Sequence, residues 1–164
     1  PFTDSNLPIV LITTDINPDT SLPYEILDSP RVLGTLKIIK HPDGSRNYLS
    51  DANTTAYLNY NGRFNIEIRG SSSQALDKKG YGLTTLLADN VSNNNVSLLG
   101  MPSENDWILN GLAFDPSLIR DYLAYSISRQ MGNYASRTQY CEVVINGDYK
   151  GLYLLQEKIK VNNQ

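Results

Sequence analysis

A run of one arginine, one glycine and three serines at 69–73 is the first feature of this sequence that could do chemistry. It reads Arg-Gly-Ser-Ser-Ser and follows an alternating apolar stretch typical of a strand, and Lys78 and Lys79 come shortly after it. A Gly/Ser loop at the end of a strand can present backbone N–H groups and hydroxyls such as that of Ser71 to phosphate oxygens, while Arg69 and the lysines supply positive charge. Phosphate recognition is one interpretation of this segment, and a solvated turn with flanking surface charges is the other.

Arg120 is a second charged residue in a place that needs explanation, because it falls beside the apolar stripe of a helix predicted at 116–131. A charge there is costly unless it reaches solvent or meets a carboxylate or a phosphate, and both alternatives stay open.

Trp107 is the only tryptophan. We predict that it belongs to the core rather than to a ligand platform.

Three other polar positions carry weaker signals. His41 is the only histidine, so we predict a solvated turn residue, with a catalytic role as the alternative. Cys141 is the only cysteine, which excludes an internal disulfide, and its apolar surroundings in the sequence predict a small buried side chain. Residues 15–19 begin like a calcium-binding loop, but Thr20 and Ile26 replace the required glycine and glutamate, so a polar turn is predicted.

Length and composition limit the classes of protein to consider. The chain has 164 residues, of which 40% are hydrophobic and 19% charged, so it is expected to fold as one domain, 1–164. Its net charge of −3 provides no basic field for nucleic acid, so we expect no nucleic-acid partner. No apolar run is long enough to cross a bilayer.

The elements that position these residues are predicted to be mostly strands. Alternation and turn residues indicate a hairpin at Asn61-Gly62 and a second hairpin, between 141–145 and 148–157, that turns at Asn146-Gly147. In the second hairpin a two-residue turn places Ile145 opposite Asp148 and Glu142 opposite Gly151. With strands also expected at 7–12 and 32–39 and one main helix at 116–131, the predicted fold class is α+β, a mostly antiparallel sheet with that helix packed on it.

Several short motifs, taken in order, resemble the CotH kinase family, the atypical protein kinases related to spore coat protein H. The resemblance covers roughly 69–159, and residues 1–68 form a strand-rich first part that is similar only loosely. The motifs are Arg69-Gly70-Ser71-Ser72-Ser73, Lys78-Lys79-Gly80-Tyr81, Leu98-Leu99-Gly100-Met101-Pro102, Asp106-Trp107, Leu118-Ile119-Arg120-Asp121, Asn146-Gly147-Asp148-Tyr149-Lys150-Gly151-Leu152-Tyr153 and Glu157-Lys158-Ile159.

This resemblance implies the N-terminal lobe of an atypical kinase that transfers the γ-phosphoryl group of ATP to serine or threonine of secreted or surface proteins. Such a reaction needs a cation for the nucleotide phosphates and acidic ligands for Mg²⁺. By resemblance, Lys79 or Lys78 binds phosphate, Arg69, Ser71 and Arg120 assist, and Glu157 orients a partner or links to the metal.

The resemblance also bears on activity and location. The catalytic and metal-binding aspartates of the family lie downstream of the segment that matches 157–159, so we expect no catalytic residue and no metal site in this chain. ATP and Mg²⁺ are expected for the full-length protein, and the fragment is expected to be inactive. The family resemblance further implies a bacterial protein that is secreted or belongs to the cell envelope. The alternative function is a non-catalytic surface adhesion or interaction module on a kinase-like fold.

Overall fold

A computed structural model of the protein describes residues 1–70, 78–111 and 137–158. These residues form eleven strands and two short 3₁₀ helices, Leu49–Asn53 and Thr55–Tyr57. The strands in chain order are β1 (Asp4–Ser5), β2 (Ile9–Thr14), β3 (Ile16–Asn17), β4 (Leu22–Pro23), β5 (Val32–Ile39), β6 (Asn47–Tyr48), β7 (Leu58–Arg69), β8 (Gly80–Leu86), β9 (Asp106–Gly111), β10 (Thr138–Ile145) and β11 (Asp148–Glu157).

Seven of the strands form a closed barrel in the order β10-β11-β9-β8-β7-β5-β2. Neighbouring strands are antiparallel except where β10 meets β2, and that parallel pair closes the barrel. Alternate residues of each strand point inward and fill the interior. The buried core includes Val10, Ile12, Leu36, Ile38, Phe64, Ile66, Leu83, Trp107, Leu109, Cys141, Val143 and Leu155. Trp107 and Cys141 are therefore core residues, as predicted.

The predicted α+β fold class is wrong for the described residues, because their regular elements are all strands apart from two short 3₁₀ helices. An open sheet with one apolar face needs a helix to cover it, whereas closure of this sheet turns its apolar face onto itself. The alternation within each strand does not reveal which strands are neighbours, so the closure could not be predicted from it. The predicted helix at 116–131 lies outside the described residues. Among the residues that are described, no helix is long and apolar enough to span a membrane.

The predicted hairpin at Asn61-Gly62 is also wrong, because both residues lie inside the long strand β7. Gly62 pairs with Leu36 of β5 within a continuous ladder. A Cβ atom at Gly62 would come within 2.5 Å of the Tyr60 hydroxyl oxygen. The glycine thus makes room for the Tyr60 side chain and does not form a turn.

The second predicted hairpin is confirmed, with Asn146 and Gly147 at its turn and Ile145 opposite Asp148. Both turn residues have positive φ, 50° and 81°, as the tight turns of two-residue hairpins require. The register shifts after this point, so Glu142 lies opposite Leu152 and not opposite Gly151 as predicted. A bulge between β10 and β11 causes the shift, and turn signals alone do not reveal it.

His41 is buried and is not the solvated turn residue predicted from the sequence. Its ring stacks on Tyr57 with the centroids 3.8 Å apart. Its Nε2 lies 2.6 Å from an Asp51 carboxylate oxygen, and its Nδ1 lies 2.9 Å from the Ser45 hydroxyl. In residues 15–19, which begin like a calcium-binding loop, the Asp15 carboxylate pairs with the Arg63 guanidinium.

Candidate functional site

A groove opens at one end of the barrel, and we call it the mouth groove. Its volume is about 610 Å³, within the range of small-molecule sites. The core residues Tyr81, Ile145 and Tyr153 also line it, which places it at the end of the barrel interior. The remaining lining residues are Leu22, Pro23, Tyr24, Glu25, Ile26, Ile68, Lys78, Lys79, Asn146, Asp148 and Lys150.

Lys78 extends across this groove, in space that two glycines leave free. A Cβ atom at Gly111 would come within 2.8 Å of the Lys78 Cγ, and one at Gly151 within 2.9 Å of its Nζ. The same ammonium lies 5.0 Å from the centroid of the Tyr153 ring, a cation–π distance. Burial lowers the pKa of Lys78, and the negative charge of Glu142 opposes that shift in part. The fold thus holds a half-buried lysine at the mouth.

Lys79 lies at the exposed rim of the same groove. Its backbone carbonyl accepts a hydrogen bond of 2.8 Å from the Tyr153 hydroxyl, and burial raises the pKa of that hydroxyl. Strand alternation would point two successive lysines to opposite faces. It does not apply here because β8 begins only at Gly80, so both lysines line one groove.

Arg69 lies on the other face of the barrel wall. It neighbours Ile68, whose side chain faces inward, so Arg69 points outward. There it lines a separate cavity of about 230 Å³, which we call the outer groove. The other residues that line the outer groove are Arg31, Glu67, Gly82, Leu83, Asp106, Trp107 and Lys158. The structure therefore does not bring Arg69 together with Lys78 and Lys79.

Glu157 is also remote from the mouth groove. Along β11 it lies four residues beyond Tyr153, or about 13 Å at the usual rise of a strand. It is opposite Trp107, and its carboxylate is 3.0 Å from a guanidinium nitrogen of Arg137. Two further predicted residues, Ser71 and Arg120, lie outside the described part of the chain.

Two residues that line these grooves, and one buried acid outside their linings, were not identified as candidates from the sequence. Lys150 lines the mouth groove, and its Nζ is 2.8 Å from an Asp148 carboxylate oxygen. Arg31 lies in the outer groove beside Glu67. Glu142 is completely buried and accepts hydrogen bonds from Ser5 and Tyr149. For Glu142 a signal existed, since a single acid within an apolar strand run indicates a buried partner.

The residues that the structure describes contain no group of three acidic, histidine or cysteine side chains close enough to hold a metal ion. The lining of the mouth groove combines three lysines, Lys78, Lys79 and Lys150, with two carboxylates, Glu25 and Asp148, so one positive charge is in excess.

No curated protein sequence matches the chain. The family described as CotH kinase protein matches residues 66–164, which is more than half of the chain and includes both β8 and the β10–β11 hairpin. The chain therefore belongs to the CotH kinase family.

Proposed function

We propose that this chain is the nucleotide-binding, N-terminal part of a CotH-like protein kinase, and that its mouth groove receives the phosphates of ATP. The observation that carries the proposal is the pair Lys78 and Lys79 on one groove of suitable size. Phosphoryl transfer depends on positioning and on neutralising charge, and a lysine held in place serves both needs. Lys78 is held by the cleft between Gly111 and Gly151, so little side-chain entropy remains to be lost on binding.

In the longer protein, the proposed reaction is transfer of the γ-phosphoryl group to serine or threonine of secreted or surface proteins. Bound Mg²⁺ would neutralise charge on the phosphates, with ligands from outside the residues described here. We propose a secreted or cell-envelope location on the same family grounds. The 164-residue chain by itself is expected to bind nucleotide without transferring phosphate.

The test is a calorimetric titration of ATP into the chain and into two variants, Lys78→Ala and Lys79→Ala. We expect the first to lose on the order of 1.5–3 kcal/mol of binding free energy, because a partly desolvated ammonium makes a strong charge-assisted contact. The exposed Lys79 is expected to contribute at most about 1 kcal/mol. Lys40→Ala, which removes the same charge outside the groove, is the matched control.

Equal and negligible effects of the two variants would contradict the assignment of the mouth groove to ATP. Thermal unfolding of each variant, measured alongside, separates lost binding from lost structure. A full loss of affinity in the Lys40→Ala control would mean that the groove responds to net charge alone.

One observation favours the second candidate function, a non-catalytic interaction module. Ile16 and Leu22, which lie on the paired strands β3 and β4, are 57% and 63% exposed, and Leu27 nearby in sequence is 42% exposed. Exposed apolar side chains close together on one segment are typical of protein contacts. If ATP does not bind, the exposed apolar side chains of Ile16, Leu22 and Leu27 become the leading functional site.

A further inference from the structure

The outer groove is built around a guanidinium held in one position. Arg31 donates hydrogen bonds to Asn65 (2.8 Å) and Thr84 (2.9 Å) through one terminal nitrogen and to Glu67 (3.0 Å) through the other. Its acceptors lie on β7 and β8, so the barrel wall itself fixes the arginine. An arginine fixed in this way loses little entropy when it binds an anion.

Gly82 forms the floor beneath that guanidinium. A Cβ atom placed there would lie 3.4 Å from an Arg31 terminal nitrogen and 3.7 Å from the Glu67 side chain. The absence of a side chain at this position therefore leaves space directly beside a charged N–H donor. The resulting cavity of about 230 Å³ is below the size usual for drug-sized ligands and suits a single oxyanion group.

The charges around the groove favour an anion. Two carboxylates line it, but the Glu67 carboxylate is paired with Arg31, and one Asp106 carboxylate oxygen accepts a hydrogen bond from Thr84. Arg69 and Lys158 add two further cations. Within residues 1–70, 78–111 and 137–158, neither of these two side chains has an ion-pair partner. One positive charge is thus left over at the groove.

We propose that the outer groove is a second anion site, distinct from the nucleotide site, and that it binds one phosphate or carboxylate group carried on a protein chain. In this proposal Arg69 serves the outer groove and not ATP. The assignment of a protein as the carrier rests on the proposed kinase function, because a kinase must hold an acceptor protein. Phosphate and carboxylate share the same chemistry here, because each is an oxyanion that accepts hydrogen bonds from paired arginine N–H groups.

The test uses three short peptides that are identical except for a central phosphoserine, glutamate or serine. Each is titrated into isotope-labelled chain while the backbone amide signals of Gly82 and Leu83 are followed by NMR. We expect the phosphoserine peptide to shift both signals, the glutamate peptide to shift them more weakly, and the serine peptide to leave them unchanged. A glutamate peptide that binds more tightly than phosphoserine identifies an acidic segment as the natural group and still supports the site.

Two variants examine the groove itself. Arg69→Gln should lower the affinity for the phosphoserine peptide at least about tenfold, the usual effect of losing a charged hydrogen bond. Gly82→Ala should weaken it without any change of charge, because the methyl group occupies the floor. Lys79→Gln and Lys40→Gln remove the same charge elsewhere and should leave peptide affinity unchanged. A well-dispersed amide spectrum verifies that each variant is folded.

ATP provides the comparison between the two sites. We expect ATP to shift the amide of Gly151, which lies beside the Lys78 ammonium, with equal affinity in the chain and in Arg69→Gln. The proposal is overturned if the serine peptide binds as tightly as the phosphoserine peptide. It is also overturned if Arg69→Gln leaves the affinity for the phosphoserine peptide unchanged, or if Arg69→Gln lowers the affinity for ATP. If ATP shifts nothing in the mouth groove while the phosphoserine results hold, the nucleotide site is wrong and the outer groove stands.

Discussion

Glu142 places a carboxyl group where no part of the residue reaches solvent. It is tolerated because the Ser5 hydroxyl donates to one oxygen at 2.7 Å and the Tyr149 hydroxyl donates to the other at 2.7 Å. Tyr149 also stacks on Phe2, with ring centroids 4.3 Å apart. Through Ser5, the Glu142 carboxyl group thus links the N-terminal segment to the outer face of β10.

Tyr149→Phe is predicted to lower the free energy of unfolding by about 1–3 kcal/mol, because it removes one donor to a buried carboxyl group. The phenylalanine ring keeps the stacking on Phe2, so the loss reports the hydrogen bond. Urea unfolding measures it, with Tyr48→Phe as a control at an exposed tyrosine. Equal stability of the two variants would show that the contact contributes nothing.

The β10–β11 hairpin is positioned against the segment that lines the mouth groove by one side chain. Asn146 accepts a hydrogen bond from the Thr14 backbone N–H at 2.9 Å and donates one to the Thr14 hydroxyl at 3.0 Å. That hydroxyl in turn donates to the backbone carbonyl of Tyr24 at 2.7 Å. The hairpin turn and the apolar side of the groove are therefore connected through the exposed Asn146 and the buried Thr14.

Asn146→Gly and Asn146→Ala separate the two roles of this residue. The glycine variant keeps the positive φ and loses only the hydrogen bonds, so we expect it to cost about 1–3 kcal/mol of stability. Alanine should cost about 1 kcal/mol more, because it must also adopt a left-handed backbone conformation. Chemical denaturation of both variants measures the difference. A glycine variant as stable as the parent would contradict the proposed link to Thr14.

The two Asn-Gly pairs show how far the sequence could predict these elements. At Asn146-Gly147 the local signal agrees with the fold, and both the hairpin and its first register pair are confirmed. At Asn61-Gly62 the same signal failed, because pairing with Lys37 and Leu36 of β5 keeps β7 extended through both residues. Partners distant in the chain decided the outcome, and local turn chemistry contains no information about them.

Similar reasoning applies to the candidate site. The sequence identified Lys78 and Lys79 as a pair, and both do line the mouth groove. It grouped Arg69 with them because the three are close in sequence, whereas the pleat of β7 turns Arg69 to the opposite face. Arg31 could not be found in advance, since its position depends on contacts with β7 and β8.

The family match begins at residue 66, yet the barrel does not. Strands β2 and β5 and most of β7 lie before that position. We predict that a chain of residues 66–164 alone will not fold, because without β2 and β5 the remaining strands leave two open edges and an exposed core. Circular dichroism and amide dispersion should show an unfolded chain, with the 164-residue chain as the reference. A cooperative thermal transition in the shorter chain would contradict this prediction.

The parallel contact between β2 and β10 also has a kinetic consequence. Ile9 pairs with Glu142, so β2 finds one of its two neighbours only after about 130 further residues have been synthesised. Until then β2 has β5 alone, and its other edge stays open to wrong partners. Barrel closure must therefore come late in folding, after β10 has been synthesised.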